Sequence, residues 1–414
     1  MNIEFMITDK IRIEEYDYPL PDGRISKFPL QERDSSKLLL FTSKNDFLPS
    51  EEKFSDIHRF LPEESLIIFN NTKVIPARLL FNRHTGAIIE IFCLEPVDPE
   101  DYQLNFSCTK QCRWKVIVGN IKRWKDGPIY LINPSDDRTI AEMDLTAELV
   151  ERASNKIVVQ FSWKGDDSFS KVLEMCGKIP IPPYLKRDPQ PLDKVRYQTC
   201  YARIEGSVAA PTAGLHFTDT VLGKISEKGI KQGYISLHVG AGTFLPVKSE
   251  YISEHNMHSE PFSISIELIK SLREYASKHI IAVGTTSTRC LESLYFLGVQ
   301  TIEKKVPTYV SQWEPYREEG FNYTLEEALD ALIHYLERNS LDNLVSRSEI
   351  IIVPGYRFRV IDHLITNFHQ PKSTLLLLIS AFVGKSWRDI YNFALENNFR
   401  FLSYGDSSLL EIRK

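Results

Sequence analysis

Five short apolar runs in this chain end in clusters of amides, hydroxyls, histidines or glycines, and that repetition constrains the fold more than any other feature. The runs are Ser65–Phe69, Tyr234–Val239, His279–Val283, Arg359–Ile365 and Arg400–Leu402. Each has the length and composition of a buried strand. Their ends carry Asn70 and Asn71, His238 and Gly240, Gly284 and Thr285, Asn367 and His369, and Tyr404 and Asp406. Helical patterns lie between them, among them Leu268, Leu272 and Ala276, and the apolar segment that Ser373 caps through Phe382. In parallel α/β sheets and barrels, ligands bind at the C-terminal ends of strands. One such cluster is ordinary turn chemistry; five predict an α/β enzyme with one shared site.

Gly206–Phe217 is the most unusual loop. It combines two glycines, Pro211, Val208 with three alanines, and the hydroxyls of Ser207 and Thr212, with His216 near its end. Small residues let backbone approach a ligand, and glycine permits positive φ. Thr218 then caps a helix with Val221, Leu222 and Ile225 on its apolar face and Gly229 as its stop. The stretch reads as a ligand-facing loop entering a helix N-terminus, where negative charge is favoured. A Gly/Pro loop around a packed histidine is the other reading, and the spacing leaves both open.

From 81 to 165 the texture changes. Short β-like runs follow one another: Ala87–Leu94, Tyr102–Cys108, Trp114–Val118, Ile129–Ile132 and Ile157–Trp163. This predicts a small all-β barrel inserted into a larger domain, with 1–80 and 166–414 forming the α/β part. The insert carries Lys110, Arg113, Trp114, Lys115, Lys122, Arg123, Trp124 and Lys125. Lys and Arg grip phosphates, and Trp stacks on bases. Burial of both tryptophans in the small barrel is the favoured alternative. A second basic segment, Lys178–Arg196, includes Lys186, Arg187, Lys194 and Arg196. The net charge of −5 over 414 residues argues against bulk nucleic-acid binding and leaves local basic faces as the means. The start of the chain lacks a signal-peptide pattern, and no apolar window is long enough to span a bilayer. Six scattered cysteines form no paired motif and are expected as free thiols in a reducing cytoplasm.

His255-Asn256-Met257-His258-Ser259-Glu260 resembles a metal pair with a carboxylate, but its histidine spacing of three is not the helical i, i+4 of zinc sites. A ligand-binding or structural loop is expected, with no metal. Gly240-Ala241-Gly242 lacks the third glycine of a dinucleotide fingerprint. Nucleophile-elbow, P-loop and kinase motifs are absent from the sequence. Histidines, carboxylates and amides remain as the chemical actors, and histidine exchanges protons near neutral pH.

Read together, the longer motifs are recognisable. Phe69–Leu79, Tyr197-Gln198-Thr199, Ala209–Phe217, Leu237–Phe244, His255–Glu260, Gly284–Arg289, Pro354-Gly355-Tyr356, Thr366–His369 with Pro371, and Ser403–Asp406 resemble, in order, the S-adenosylmethionine:tRNA ribosyltransferase-isomerase family of queuosine biosynthesis. Ala241, Ser346–Val353 and Ser407-Ser408 depart from its pattern, as in a divergent branch. The resemblance implies an open β/α main domain with an inserted β-barrel. It also implies transfer and isomerisation of the ribosyl part of S-adenosylmethionine onto 7-aminomethyl-7-deazaguanine at the tRNA wobble position. Epoxyqueuosine forms, and adenine and methionine leave.

The sulfonium acidifies C5′–H, so a base is needed. His216 or His238 is expected in that role, His216 being favoured by its loop. Asn70, Thr212, Asn367 and His369 are expected to orient ribose and adenine, and Asp406 or Glu260 to face the sulfonium. Arg78, Gly214, Gly240, Gly242, Thr285 and Thr286 complete the expected substrate set. The tRNA is expected on Lys110, Arg113, Lys186, Arg187, Lys194 and Arg196. S-adenosylmethionine enters as substrate, with no cofactor, in the cytoplasm; the sequence does not set the oligomeric state, and a monomer is favoured. Two other readings are a related enzyme with a different acceptor, and a noncatalytic tRNA-binding protein, whose strand-end motifs would be broken.

Overall fold

The computed structural model describes residues 11–83, 86–133, 138–153, 156–240, 247, 249–317 and 321–413. The strands before the insert are β1 (Lys37–Phe41), β2 (Ser50–Lys53), β3 (Ser65–Asn70) and β4 (Thr72–Val74). The insert contributes β5 (Arg78–Asn82), β6 (Ile88–Asp98), β7 (Gln111–Gly119), β8 (Ile129–Leu131), β9 (Thr146–Arg152) and β10 (Ile157–Ser162). Then come β11 (Ile204–Ser207), β12 (Lys231–Leu237), β13 (Glu260–Ser265), β14 (His279–Val283) and β15 (Tyr309–Val310). The last are β16 (Asn343–Ser348), β17 (His363–Asn367) and β18 (Ser407–Glu411).

Ten of these strands form one open mixed sheet in the order β15, β16, β13, β12, β3, β14, β17, β18, β1, β2. At its centre β12, β3, β14 and β17 run parallel. Every residue of β3 is buried because both sheet faces are covered. Its side chains alternate between two cores. Leu66 and Ile68 join Ile280, Ala282 and Leu364 on one face. Ile67 and Phe69 join Ile281, Val283 and Ile365 on the other. Helix Thr285–Ile302 covers the first face, with 16 of its 18 residues buried. Helix Asp219–Glu227 packs Val221 and Ile225 on the second, capped by Thr218 as expected.

The neighbours of the parallel strands run the other way. β13 is antiparallel to β12, and β18 is antiparallel to β17 with Ser407 opposite Asn367. The edge where four strands end is therefore also where β13, β18 and β1 begin. Arg400–Leu402 is not a strand; Phe401 makes a single bridge to Ile25, and the strand lies after Asp406, not before it.

The insert closes into a six-stranded barrel, β10-β7-β6-β5-β8-β9. Trp114 and Trp124 are fully buried in it, with indole N–H groups bonded to Asn105 Oδ1 at 2.7 Å and the Gly127 carbonyl at 3.0 Å. Neither can stack on a base. Tyr102–Ser107 is a helix rather than a strand, because the Asp101 carboxylate accepts from the Leu104 N–H and starts it. Among the described residues no helix is long and apolar enough to cross a membrane.

Candidate functional site

A cleft of about 790 Å³, counting its open mouth, lies at the strand-end edge of the main sheet. The small-residue loop Ala209–Ala213, the Gly284–Thr286 turn, the Thr366–Gln370 strand end and Leu402-Ser403 line it, with Tyr184 and Ser373 at its sides. Of the expected substrate residues it gathers Thr212, Thr285, Thr286, Asn367 and His369.

Gly284, at φ 94°, turns β14 directly into helix Thr285–Ile302 without a side-chain cap. The first-turn N–H groups of that helix are therefore open at the cleft. This corrects the expectation that the helix after Thr218 supplies the ligand-facing terminus. Thr218 caps Val221 and donates to Asp34, away from the cleft lining.

Asn367 has a divided side chain. Its Nδ2 donates to His216 Nε2 at 3.1 Å and to the carbonyls of Leu402 and Asp406 at 3.2 and 3.4 Å. The two carbonyls fix the amide orientation. Its Oδ1 is buried and meets no donor among the described residues. The Ser287 hydroxyl, one residue past the cleft wall, is in the same condition. Buried unpaired groups of this kind cost about 1–3 kcal/mol, which a ligand can relieve. His369 pairs Nε2 with Thr366 Oγ1 at 3.0 Å. Burial lowers its pKa to about 3, so it is neutral near pH 7.

Several expected ligand residues lie elsewhere. His216 sits behind Asn367, against Phe54. Its Nε2 accepts from Asn367, so Nδ1–H donates to Ser36 Oγ at 2.7 Å, and both ring nitrogens are occupied. Burial, with Arg400 and Arg33 nearby, lowers its pKa to about 3. His238 stacks on Tyr102 at 4.0 Å beneath the barrel, and burial lowers it to about 4. Gly206, at φ 135°, is required there, since a Cβ would fall 2.6 Å from the His238 ring.

Asn70 is fully buried and saturated. Nδ2 donates to the Leu237 carbonyl, and Oδ1 accepts from Leu237 N–H, Thr72 N–H and Thr72 Oγ1. It stitches β3 to β12, with both polar side-chain atoms bonded to the protein. Asp406 accepts from Lys37 N–H and from the backbone and guanidinium of Arg400, so it anchors a turn rather than a sulfonium. Arg78 pairs with Glu90 on the barrel wall. Gly214 is a packing residue: a Cβ would meet the Tyr201 hydroxyl at 2.0 Å. Gly240 follows the cleft residue Val239, and Gly242 lies outside the described residues.

A second cavity, of about 660 Å³ with its mouth, is bordered by His255, Asn256, His258 and Arg289. Leu375 lines both this cavity and the cleft. Glu260, 2 % exposed, bonds His258 at 3.2 Å and pairs with Arg289. Arg289 was missed by sequence reasoning. Its signal was an arginine set among Cys290, Leu291 and Leu294 in a helix otherwise fit for burial. A separate group, His279, Asp362 and His363, has ligand atoms within 4.8 Å of one another at the opposite end of β14 and β17. There the carboxylate bonds both imidazoles at 2.7 and 3.0 Å.

The basic residues divide too. Lys110 and Lys186 are exposed and hold surface partners, Asp166 and Asp22 at 2.8 Å, with Lys110 also donating to the Gly165 carbonyl at 2.6 Å. Lys194 is exposed beside the Glu174 carbonyl, and Arg113 lies along the barrel near Gln160. Arg187 is 11 % exposed and grips Asp193 with two 2.7 Å bonds. Arg196 clamps the carbonyls of Leu30 and Gln31. These two arginines hold the fold rather than offering a free phosphate-binding face.

The chain matches the family described as "Queuosine biosynthesis protein" over residues 13–410. It is 38% identical over 404 residues to the S-adenosylmethionine:tRNA ribosyltransferase-isomerase of Halothermothrix orenii, covering 97% of this chain and all of that one. The enzyme of the same name from Aquifex aeolicus is 35% identical, again over 97% of this chain and all of the relative. The crystal structure of an S-adenosylmethionine tRNA ribosyltransferase from Thermotoga maritima aligns with 96% of this chain and 99% of its own at 25% identity and a TM-score of 0.44. Matched from end to end, the chain belongs to the queuosine biosynthesis protein family.

Proposed function

We propose that this chain is an S-adenosylmethionine:tRNA ribosyltransferase-isomerase. It moves and isomerises the ribosyl part of S-adenosylmethionine onto 7-aminomethyl-7-deazaguanine at the wobble position of tRNA. Epoxyqueuosine forms, and adenine and methionine are released. The observation that carries this is the 38% identity to an enzyme of that name along 97% of the chain. We take the inserted module as 81–165, the two flanking segments as one α/β domain, and the enzyme as a cytoplasmic monomer.

In the cleft, the Asn367 Oδ1, Thr285, Thr286 and Thr212 orient adenosine. His369 is the imidazole on the described cleft wall, and we move the base role to it from His216 and His238. Neutral at pH 7, it takes the C5′ proton next to the sulfonium. Its lowered pKa of about 3 makes it a weak base, so its place on the cleft wall, not its basicity, carries the assignment. The amine of the modified base attacks the opened sugar, and closure of the epoxide expels methionine. His216 positions Asn367 from behind. Holding two large substrates in register supplies much of the rate. Lys110, Arg113, Lys186 and Lys194 attract the tRNA to a chain of net charge −5.

The test is incubation of the purified chain with S-adenosylmethionine and tRNA bearing 7-aminomethyl-7-deazaguanine. Free adenine and tRNA-borne epoxyqueuosine are expected in equal amounts by mass spectrometry. Adenine released without that nucleoside points to another acceptor, and binding without release to a noncatalytic protein. S-adenosylmethionine is proposed as substrate with no cofactor. Turnover that vanishes with a chelator and returns with zinc makes His255 and His258 metal ligands instead.

A further inference from the structure

Arg289 lies four residues beyond Thr285 on the helix that starts at the cleft, about 6 Å further along its axis. The residue is 5 % exposed. Its Nη2 pairs with Glu260. Its Nε and Nη1 are buried and find no acceptor among the described residues. A guanidinium cannot shed its proton to escape burial. Unanswered donors on a buried cation carry a desolvation cost that an outside acceptor removes.

Arg289 borders the second cavity. Its polar wall is His255, Asn256 and His258, and Ile351, Ile352 and Leu378 form an apolar wall. Burial and the neighbouring His258 hold His255 below its ordinary pKa, which leaves that imidazole neutral near pH 7. Leu375 is the shared partition between this cavity and the cleft.

We infer that this side cavity seats the methionyl end of S-adenosylmethionine, with its α-carboxylate on Arg289 while adenosine lies in the cleft. The inference rests on the proposal that S-adenosylmethionine is the substrate. A buried cation with open donors calls for an anion, and the apolar wall suits the methylenes between carboxylate and sulfonium. A sugar–phosphate backbone has no comparable apolar segment. Glu260 beside Arg289 completes a pair of opposite charges, the pattern that an α-amino acid head group complements.

The test compares binding of S-adenosylmethionine and decarboxylated S-adenosylmethionine to the full chain by titration calorimetry. The two ligands share sulfonium and adenosine and differ in the carboxylate. Wild type is expected to favour the carboxylate form by at least ~10-fold, as charged hydrogen bonds do. Arg289→Gln is expected to bring the two affinities together by weakening S-adenosylmethionine alone. Arg289→Lys, which keeps the charge beside Glu260, is expected to fall between if the glutamine variant does not fold. Equal wild-type affinities overturn the inference and leave the S-adenosylmethionine reading intact. Failure of wild type to bind either ligand overturns that reading as well. Loss of tRNA affinity in Arg289→Gln with the ligand ratio intact assigns the donors to a phosphate and overturns the inference. Where neither variant folds, the wild-type ratio decides.

Discussion

Two layers of polar residues meet at one edge of the main sheet, and they differ in a single respect. The back layer, Asn70, His216 and Asp406, is saturated with protein hydrogen bonds. The front layer leaves groups open: Asn367 Oδ1, Ser287 Oγ, and Arg289 Nε and Nη1. Asn367 belongs to both, its amide donor tied backward and its acceptor left open. A polar residue at a strand end is thus no sign of a ligand contact by itself. The sign is an unanswered buried polar atom at or next to a cavity wall; among the described residues His238 Nδ1 and the Tyr201 hydroxyl are unanswered as well, but away from the cleft lining. On the outer surface the difference is one of exposure: Arg187 is held against buried Asp193, whereas Lys110, Lys186 and Lys194 are exposed.

The largest effects should come from breaking the saturated layer. Asn70→Ala removes four bonds, and Arg187→Ala leaves Asp193 buried without its cation. Each should lower folding stability by about 3–5 kcal/mol in urea unfolding. A loss under about 1 kcal/mol in either would mean that the layer is not structural.

His369→Ala tests the open layer. Turnover should fall at least ~100-fold, the low end of general-base effects, with substrate binding largely kept. His216→Ala should differ in kind, losing stability and activity together because Asn367 is released. If His216→Ala alone keeps a normal fold and loses turnover, the two histidines exchange roles.

Acid separates buried imidazoles from the carboxylates around them. His216 and His369 have folded pKa values lowered to about 3 from 6.5. The unfolded chain binds protons that the folded chain refuses. Their contribution is therefore complete above pH 6.5 and is lost as pH falls toward 3. Each imidazole should add about 1.4 kcal/mol per pH unit to that slope. Urea unfolding between pH 6 and 4 should show a slope one proton smaller in His216→Gln. An unchanged slope means that His216 is not buried neutral.

How far this contrast can be read in a sequence depends on where partners lie along the chain. The central strands were legible because burial on both faces makes them continuous apolar runs, as in Leu66–Phe69. β18 was not, since Ser407 and Ser408 open it and only Leu409 and Leu410 look like a strand. Residue types at the cleft were legible too, and Thr212, Thr285, Thr286, Asn367 and His369 do meet there. Saturation was not legible. His216 is answered by Ser36, 180 positions away, and Asn70 by Leu237, 167 away. No local pattern carries that information. Arg289 left a trace, a cation inside an apolar helix, which marks burial without naming its partner.

A smaller effect isolates the open layer from the reaction. Ser287→Ala removes a buried hydroxyl that has no partner among the described residues. Stability should change by less than about 0.5 kcal/mol or rise, because nothing is left unpaired. S-adenosylmethionine affinity should weaken in proportion to one hydrogen bond, roughly 2- to 10-fold by calorimetry. A clear loss of stability with affinity unchanged would move Ser287 into the saturated layer.

The exposed lysines should give the smallest change in folding and a measurable one in tRNA binding. Lys110 and Lys186 sit in surface pairs with side chains 63% and 64% exposed, and such pairs add about 0–1 kcal/mol to stability. Lys194 is exposed as well. Charge reversal of all three, with Arg187 left in place, should leave the unfolding midpoint and S-adenosylmethionine affinity nearly unchanged. Each phosphate neutralised contributes roughly 0.7–0.9 to the log–log dependence of affinity on salt. The triple variant should therefore bind tRNA more weakly at low salt and show a flatter slope by up to about 2–3. Both readouts are needed, because a folding defect weakens binding without flattening the slope. If affinity and slope survive the triple change, the open lysines are a solvated face and the tRNA docks on other cations. Arg113 and the remaining basic side chains of the barrel are then the next to reverse.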